Sequence, residues 1–84
     1  MYVVYILYSK STDHYYVGQT DNLDRRLTQH NSGYSKSTKK GIPWELLCTE
    51  EYFDRSAAIY RESIIKAKKS RKYIVNLLTG IASR

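Results

Sequence analysis

The chain has 84 residues, room for one domain and no second. Fourteen Lys and Arg oppose eight Asp and Glu, and the formal net charge of +6 sets cationic partners aside in favour of nucleic acid, a phosphate ligand or a membrane surface. A hydrophobic fraction of 42% argues against disorder, and the single cysteine, Cys48, excludes an intrachain disulfide and fits a reducing, cytoplasmic setting.

Residues 2–8, Tyr2-Val3-Val4-Tyr5-Ile6-Leu7-Tyr8, are β-branched or aromatic on both faces, as in a strand covered on both sides. They carry no basic leader and run straight into polar residues, so a signal peptide is not expected, and nothing approaches the length of a membrane span. Ser9 to Asp13 reads as a hairpin turn and residues 14–19 as the partner strand, where Gly18 marks a bulge or the close approach of another group. Thr20 or Asp21 is the expected cap of a first helix running to about His30, with Leu23 and Leu27 on one face and Gly33 just past its end.

Residues 34–43 form a basic loop rich in Ser, Thr and Gly. A third strand is expected over 44–53, placing Cys48 in an apolar run as an inert core residue. Asp54 or Ser56 should cap a second helix over about 55–69, and a last short helix covers about 70–79. The order β-β-α-β-α-α predicts an α+β domain with a small three-stranded antiparallel sheet flanked by helices.

Nine tyrosines against one Phe and one Trp suit places where a core meets a wet site. Tyr5 and Tyr16 lie on two strands joined by a short turn, so they can be neighbours on one face. On residue chemistry alone they read first as core tyrosines of a Tyr-rich sheet. Arg26 and His30 are spaced i, i+4 and can point at one site, whereas Arg25 lies about 100° around the helix. His30 can relay a proton, bind phosphate, or merely complement the helix dipole. Glu62 shares a helix face with Ala58 and Ile65, which calls for a metal or a partner such as Lys66 one turn on. The expected phosphate-facing cations are Arg25, Lys36, Lys39, Lys40, Lys66 and Lys69, with Lys68, Arg71 and Lys72 beside them; a solvated helix face is the alternative for the 66–72 run.

The pattern resembles the GIY-YIG nuclease superfamily over nearly the whole chain, and most of all its short stand-alone members of the UPF0213 type. Val3-Val4-Tyr5 stands where the first signature has Gly-Ile-Tyr, and Tyr16-Val17-Gly18 where the second has Tyr-Ile-Gly. The segment from Asp21 to Gly33 is similar to the family's first helix, with its Arg and closing His-Asn-x-Gly, and Arg61-Glu62-Ser63-Ile64-Ile65-Lys66 to the helix of its metal-binding Glu. Two departures stand out: Val3 replaces the first signature's glycine, and Asn76 is only an approximate match to the family's late Asn.

The resemblance implies a divalent-metal-dependent endonuclease that cuts DNA in repair or recombination. Tyr5 would be the general base and Tyr16 its support. Arg26 would stabilise charge on the phosphate, with His30 and Asn76 completing the catalytic set, and Glu62 would be the sole protein ligand of Mg²⁺ or Mn²⁺. A free Tyr has a pKa of about 10, so a tyrosine base needs help at neutral pH. Lacking the extra DNA-binding domain of larger nucleases, such a chain would act as a monomer on DNA of a particular structure or with weak specificity. The alternative is a DNA-binding module that cuts poorly and works with a partner protein.

Overall fold

The computed structural model describes residues 1–68 and 71–82. β1 (Tyr2–Ser9) is the middle of a three-stranded antiparallel sheet, between β2 (His14–Thr20) and β3 (Trp44–Tyr52). Its two-sided apolar run explains that place. Val4 and Ile6 enter one layer, Tyr5 and Leu7 the other, and all four are buried. The β1–β2 turn is pinned by the buried Ser9 hydroxyl oxygen, which accepts from the Thr12 amide (3.2 Å) and hydroxyl (2.8 Å). Asp13 closes the turn at φ 57°, a left-handed value that Asp tolerates better than most residues.

α1 (Leu23–Asn31) covers the face of Tyr5 and Leu7. Leu23 and Leu27 pack there with Tyr16, Ile42 and Trp44. α2 (Arg55–Lys68) and α3 (Arg71–Ala82) cover the opposite face, where Ala58 and Ile65 of α2 and Tyr73, Ile74 and Leu77 of α3 meet Val4, Ile6, Val17 and Cys48. The α+β class and the order β-β-α-β-α-α are as the sequence pattern predicts. Leu7, with no exposed surface, anchors the first layer; Leu7→Ala would cost about 2–5 kcal/mol.

Local differences have physical reasons. Asn22 caps α1, its Oδ1 accepting from the Arg25 amide at 3.0 Å, rather than Thr20 or Asp21. Thr20 stays in β2, and its hydroxyl receives the Asn22 amide at 3.1 Å. Gly33 adopts φ 82° just past α1, and the Tyr34 amide reaches back to the Gln29 carbonyl at 3.2 Å, a Schellman ending. The 34–43 loop contains a 3₁₀ turn, Lys39–Gly41. Two ion pairs tie the layers. Arg61 forks onto Glu50 of β3 (2.9 and 3.3 Å), and Arg71 forks onto Asp13 (2.8 and 2.5 Å) while lying over the Tyr15 ring.

Candidate active site

The β1–β2 register sets Tyr5 opposite Gly18 and Leu7 opposite Tyr16, so Tyr5 and Tyr16 occupy one face as diagonal neighbours with ring centroids 6.3 Å apart. Gly18 is there because Tyr5 lies over it. A Cβ at Gly18 would stand 2.5 Å from the Tyr5 hydroxyl and 2.7 Å from Cζ. The close approach expected at Gly18 is thus the phenol of the other signature.

α1 delivers Arg26 and His30 to this corner from one face. His30 is fully buried, with Nε2 3.0 Å from the Tyr5 hydroxyl, and its ring meets Tyr16 edge-on at 4.8 Å. Arg26, held by Gln29 (Nη1 to Oε1, 3.0 Å), acts electrostatically on both phenols. Arg25 points elsewhere, exposed and 3.7 Å from Asp21. Burial pushes the Tyr5 phenol up to about 12, against the opposing pull of Arg26. The resting Tyr5 is therefore a neutral donor at physiological pH. Burial, reinforced by Arg26, pushes His30 below its ordinary value, so the ring beside it is neutral and able to accept.

Glu62 reaches the same corner from α2, close enough for its charge to act on Tyr5. Its carboxylate is half-buried and accepts from Lys66 at 2.6 Å, and the Lys66 ammonium lies 5.8 Å from the Tyr16 ring centroid. Among the described residues no three His, Cys, Asp or Glu side chains are grouped to hold a metal. A lone carboxylate still fits Mg²⁺, which keeps most of its water and takes one or two carboxylates plus substrate oxygens. A divalent ion there would compete with the Lys66 ammonium.

Five predicted residues from four elements, Tyr5, Tyr16, Arg26, His30 and Glu62, thus converge. Asn76 does not join them. It is exposed on α3, whose Tyr73, Ile74 and Leu77 turn to the opposite layer, and none of the described contacts of the cluster involves it. Lys36, Lys39 and Lys40 are exposed on the loop, Lys66 borders the site, and Lys69 lies outside the described residues. Arg71 is engaged with Asp13 and Tyr15, so it serves first as a clasp for α3.

Residue reasoning missed Thr38, buried in the loop with its hydroxyl 3.0 Å from His30 Nδ1, and Gln29, which holds Arg26. It also missed Asn31, which clamps the backbone of Trp44 through two hydrogen bonds (2.6 and 3.2 Å). Gln29 had a signal in its i, i+3 spacing from Arg26; Thr38 had none beyond eight residues of separation from His30.

The family profile described as the GIY-YIG catalytic domain matches residues 1–74. The chain belongs to the GIY-YIG family. A UPF0213 protein of Natronomonas pharaonis is 40% identical over 73 residues, covering 81% of this chain and 85% of that one. A protein of Phaeosphaeria nodorum named structure-specific endonuclease subunit SLX1 is 42% identical over 52 residues, 56% of this chain but 14% of its own. The solution NMR structure of a UPF0213 protein from Bacillus halodurans superposes with a TM-score of 0.59 at 32% identity, over 94% of this chain and 84% of that one. The GIY-YIG match spans both tyrosine signatures, the Arg26–His30 helix and the Glu62 helix, the same parts that the fold gathers at one corner.

Proposed function

We propose that this chain is a divalent-metal-dependent endonuclease that hydrolyses DNA phosphodiester bonds, directed by DNA structure rather than base sequence. The observation that supports it most is the 3.0 Å contact between Tyr5 and a neutral, buried His30, with Arg26 and Glu62 beside it. Water attacks the phosphorus as its proton passes to the Tyr5 oxygen. Tyr5 gives up its own proton to His30 Nε2 in the same motion, so no free tyrosinate has to form. Arg26 neutralises the charge growing on the phosphate oxygens. Tyr16 packs against the His30 ring and keeps it in line with Tyr5. The P–O3′ bond breaks and the leaving oxygen takes a proton from solvent. Glu62 would hold Mg²⁺ or Mn²⁺, which would supply Lewis-acid polarisation of the scissile phosphate.

Lys36, Lys39, Lys40 and Lys66 contact phosphates, with Arg25 contributing weakly because it faces away. The relatives named SLX1 are called structure-specific and subunits. For this chain we read the same preference for DNA shape, together with a protein partner that supplies specificity. A cytoplasmic setting fits the single thiol.

The deciding experiment offers nicked, flapped, branched and linear DNA with Mg²⁺ and Mn²⁺ in turn, comparing wild type with Glu62→Gln. The expected result is metal-dependent nicking that Glu62→Gln loses while it still binds DNA. Equal cleavage by the variant would remove Glu62 from the site. A second reading, a binding module that cuts poorly, has one observation in its favour: Glu62 is already neutralised by Lys66. Salt-sensitive binding without nicking on every substrate would select it.

A further inference from the structure

We propose that Thr38 is a positioning residue whose hydroxyl takes the Nδ1 hydrogen of His30 and thereby fixes the ring tautomer that leaves Nε2 free for the Tyr5 proton. The proposal deepens the proposed function and rests on its reading of Tyr5 and His30.

One buried chain of hydrogen bonds runs from Tyr5 through His30 to Thr38. Tyr5, His30 and Thr38 are 1%, 0% and 1% exposed, so bulk solvent has little access to these bonds in the resting site. The Tyr5 hydroxyl is a neutral donor whose hydrogen-bonding neighbours are the His30 ring and the Arg26 guanidinium, while Tyr16 and Glu62 act on it through charge alone. A guanidinium has donors only, so the Tyr5 hydrogen must go to His30 Nε2. That nitrogen is then unprotonated, and a neutral ring carries its hydrogen on Nδ1. The atom facing Nδ1 is Thr38 Oγ1, at 3.0 Å. Thr38 can accept because its own hydrogen has another destination, the Ser35 carbonyl at 3.4 Å. In the opposite tautomer Nε2–H would face the Tyr5 oxygen, and the Tyr5 hydrogen would be left without an acceptor. A buried hydroxyl hydrogen without an acceptor is costly, which disfavours that tautomer.

Thr38 is itself held in place. Its amide donates to the Ser35 carbonyl at 3.2 Å, and its carbonyl receives both the Gly41 amide at 3.1 Å and the Trp44 indole N–H at 2.7 Å. Gly41 lies so close under the Trp44 ring that a side chain there would overlap it. The basic loop is therefore folded back onto the site and supplies it with a working part. The direction of the chain, Tyr5 to His30 to Thr38 to Ser35, orients the imidazole much as a carboxylate orients histidine in hydrolase triads, with a neutral hydroxyl in place of the charge.

The test reads the tautomer directly. Long-range ¹H–¹⁵N correlation spectra of the ¹⁵N-labelled full chain separate Nδ1–H from Nε2–H rings. The expected wild-type result is a neutral His30 protonated on Nδ1. Thr38→Val, which keeps the shape and removes the hydroxyl, should populate the Nε2–H ring and slow single-turnover cleavage by about tenfold. Thr38→Ser should restore the tautomer and the rate. An Nε2–H ring in the wild type overturns the proposal without any variant, even if Thr38→Val does not fold. An unchanged Nδ1–H ring in folded Thr38→Val overturns it too. If the tautomer behaves as expected while Tyr5→Phe cleaves at the wild-type rate, the positioning by Thr38 stands and the reading of Tyr5 falls.

Discussion

Gly18→Ala should damage the site out of proportion to the fold. The added Cβ would sit 2.5 Å from the Tyr5 hydroxyl and 2.7 Å from its Cζ, where ordinary contact begins at 3.4 Å, so the phenol must retreat by about 0.9 Å. It has little room: Tyr5 is buried, His30 stands at its hydroxyl and Tyr16 flanks it. Overpacking of this kind costs about 1–3 kcal/mol. For a domain of this size each kcal/mol lowers the Tm by about 4–8 °C. A reacting group misplaced by about 1 Å loses about 10²-fold in rate. Gly33→Ala is the matched control. Its φ of 82° makes any side chain strained by about 1–2 kcal/mol, yet the nearest atom to a new Cβ is 3.8 Å away. Both variants should therefore melt early, and only Gly18→Ala should lose single-turnover cleavage when assayed well below its Tm. A Gly18→Ala protein that cleaves like the wild type would refute the argument, because Tyr5 could then move by most of an ångström without consequence.

Further expectations follow from the same geometry. Tyr5→Phe should cost about 0.5–1.5 kcal/mol for its hydrogen bond to His30, measured by denaturation, but about 10²–10⁴ in cleavage rate. Arg26→Ala should slow cleavage far more than it weakens DNA binding, whereas Arg25→Ala, on another face, should change both little; the reverse ranking would mean that Arg25 serves the phosphate. His30 is held below its ordinary value, so below about pH 6.5 the unfolded chain binds more protons than the native one. Stability should then fall as the pH drops towards about 5, and His30→Gln should flatten that limb of the Tm–pH curve; an unchanged limb would place the titration elsewhere. DNA affinity should weaken with a log–log salt slope near about −3.6 if roughly four phosphates are neutralised, and salt-independent binding would exclude phosphate contact as its main source.

What was legible in the chain was what local period and backbone chemistry write down. β1 announces itself through unbroken apolar and β-branched residues on both faces, and it is the central strand. Arg26 and His30 share a face because 3.6 residues make a turn. Gly18 signals close approach because a strand has little other use for a glycine. Thr38 was hidden because a Thr in a run of Ser, Lys and Gly is indistinguishable from a turn-former. Its role depends on the loop folding back over Trp44, a long-range event with no periodic trace. The α1 cap moved from Thr20 or Asp21 to Asn22 because the pairing of β2 with β1 keeps Thr20 in the sheet. Arg71 read as one more surface cation because its partner, Asp13, is 58 residues away in a hairpin turn. Lys66 was legible in both of its roles, as partner of Glu62 and as a cation beside the site.

Trp44 is the chain's only tryptophan, and its indole is built into the edge of the candidate site, bonded to the Thr38 carbonyl and 6.2 Å from the centre of the Tyr16 ring. The molecule thus carries its single indole fluorophore at the place where its chemistry would occur. Emission colour will report whether the indole stays dry, and quenching will report any lifting of the basic loop. Light absorbed by the neighbouring tyrosines and passed on to Trp44 will report their spacing. Any loop opening, and the DNA binding proposed above, can then be tested in real time on unlabelled protein, with no substitution near the groups being observed.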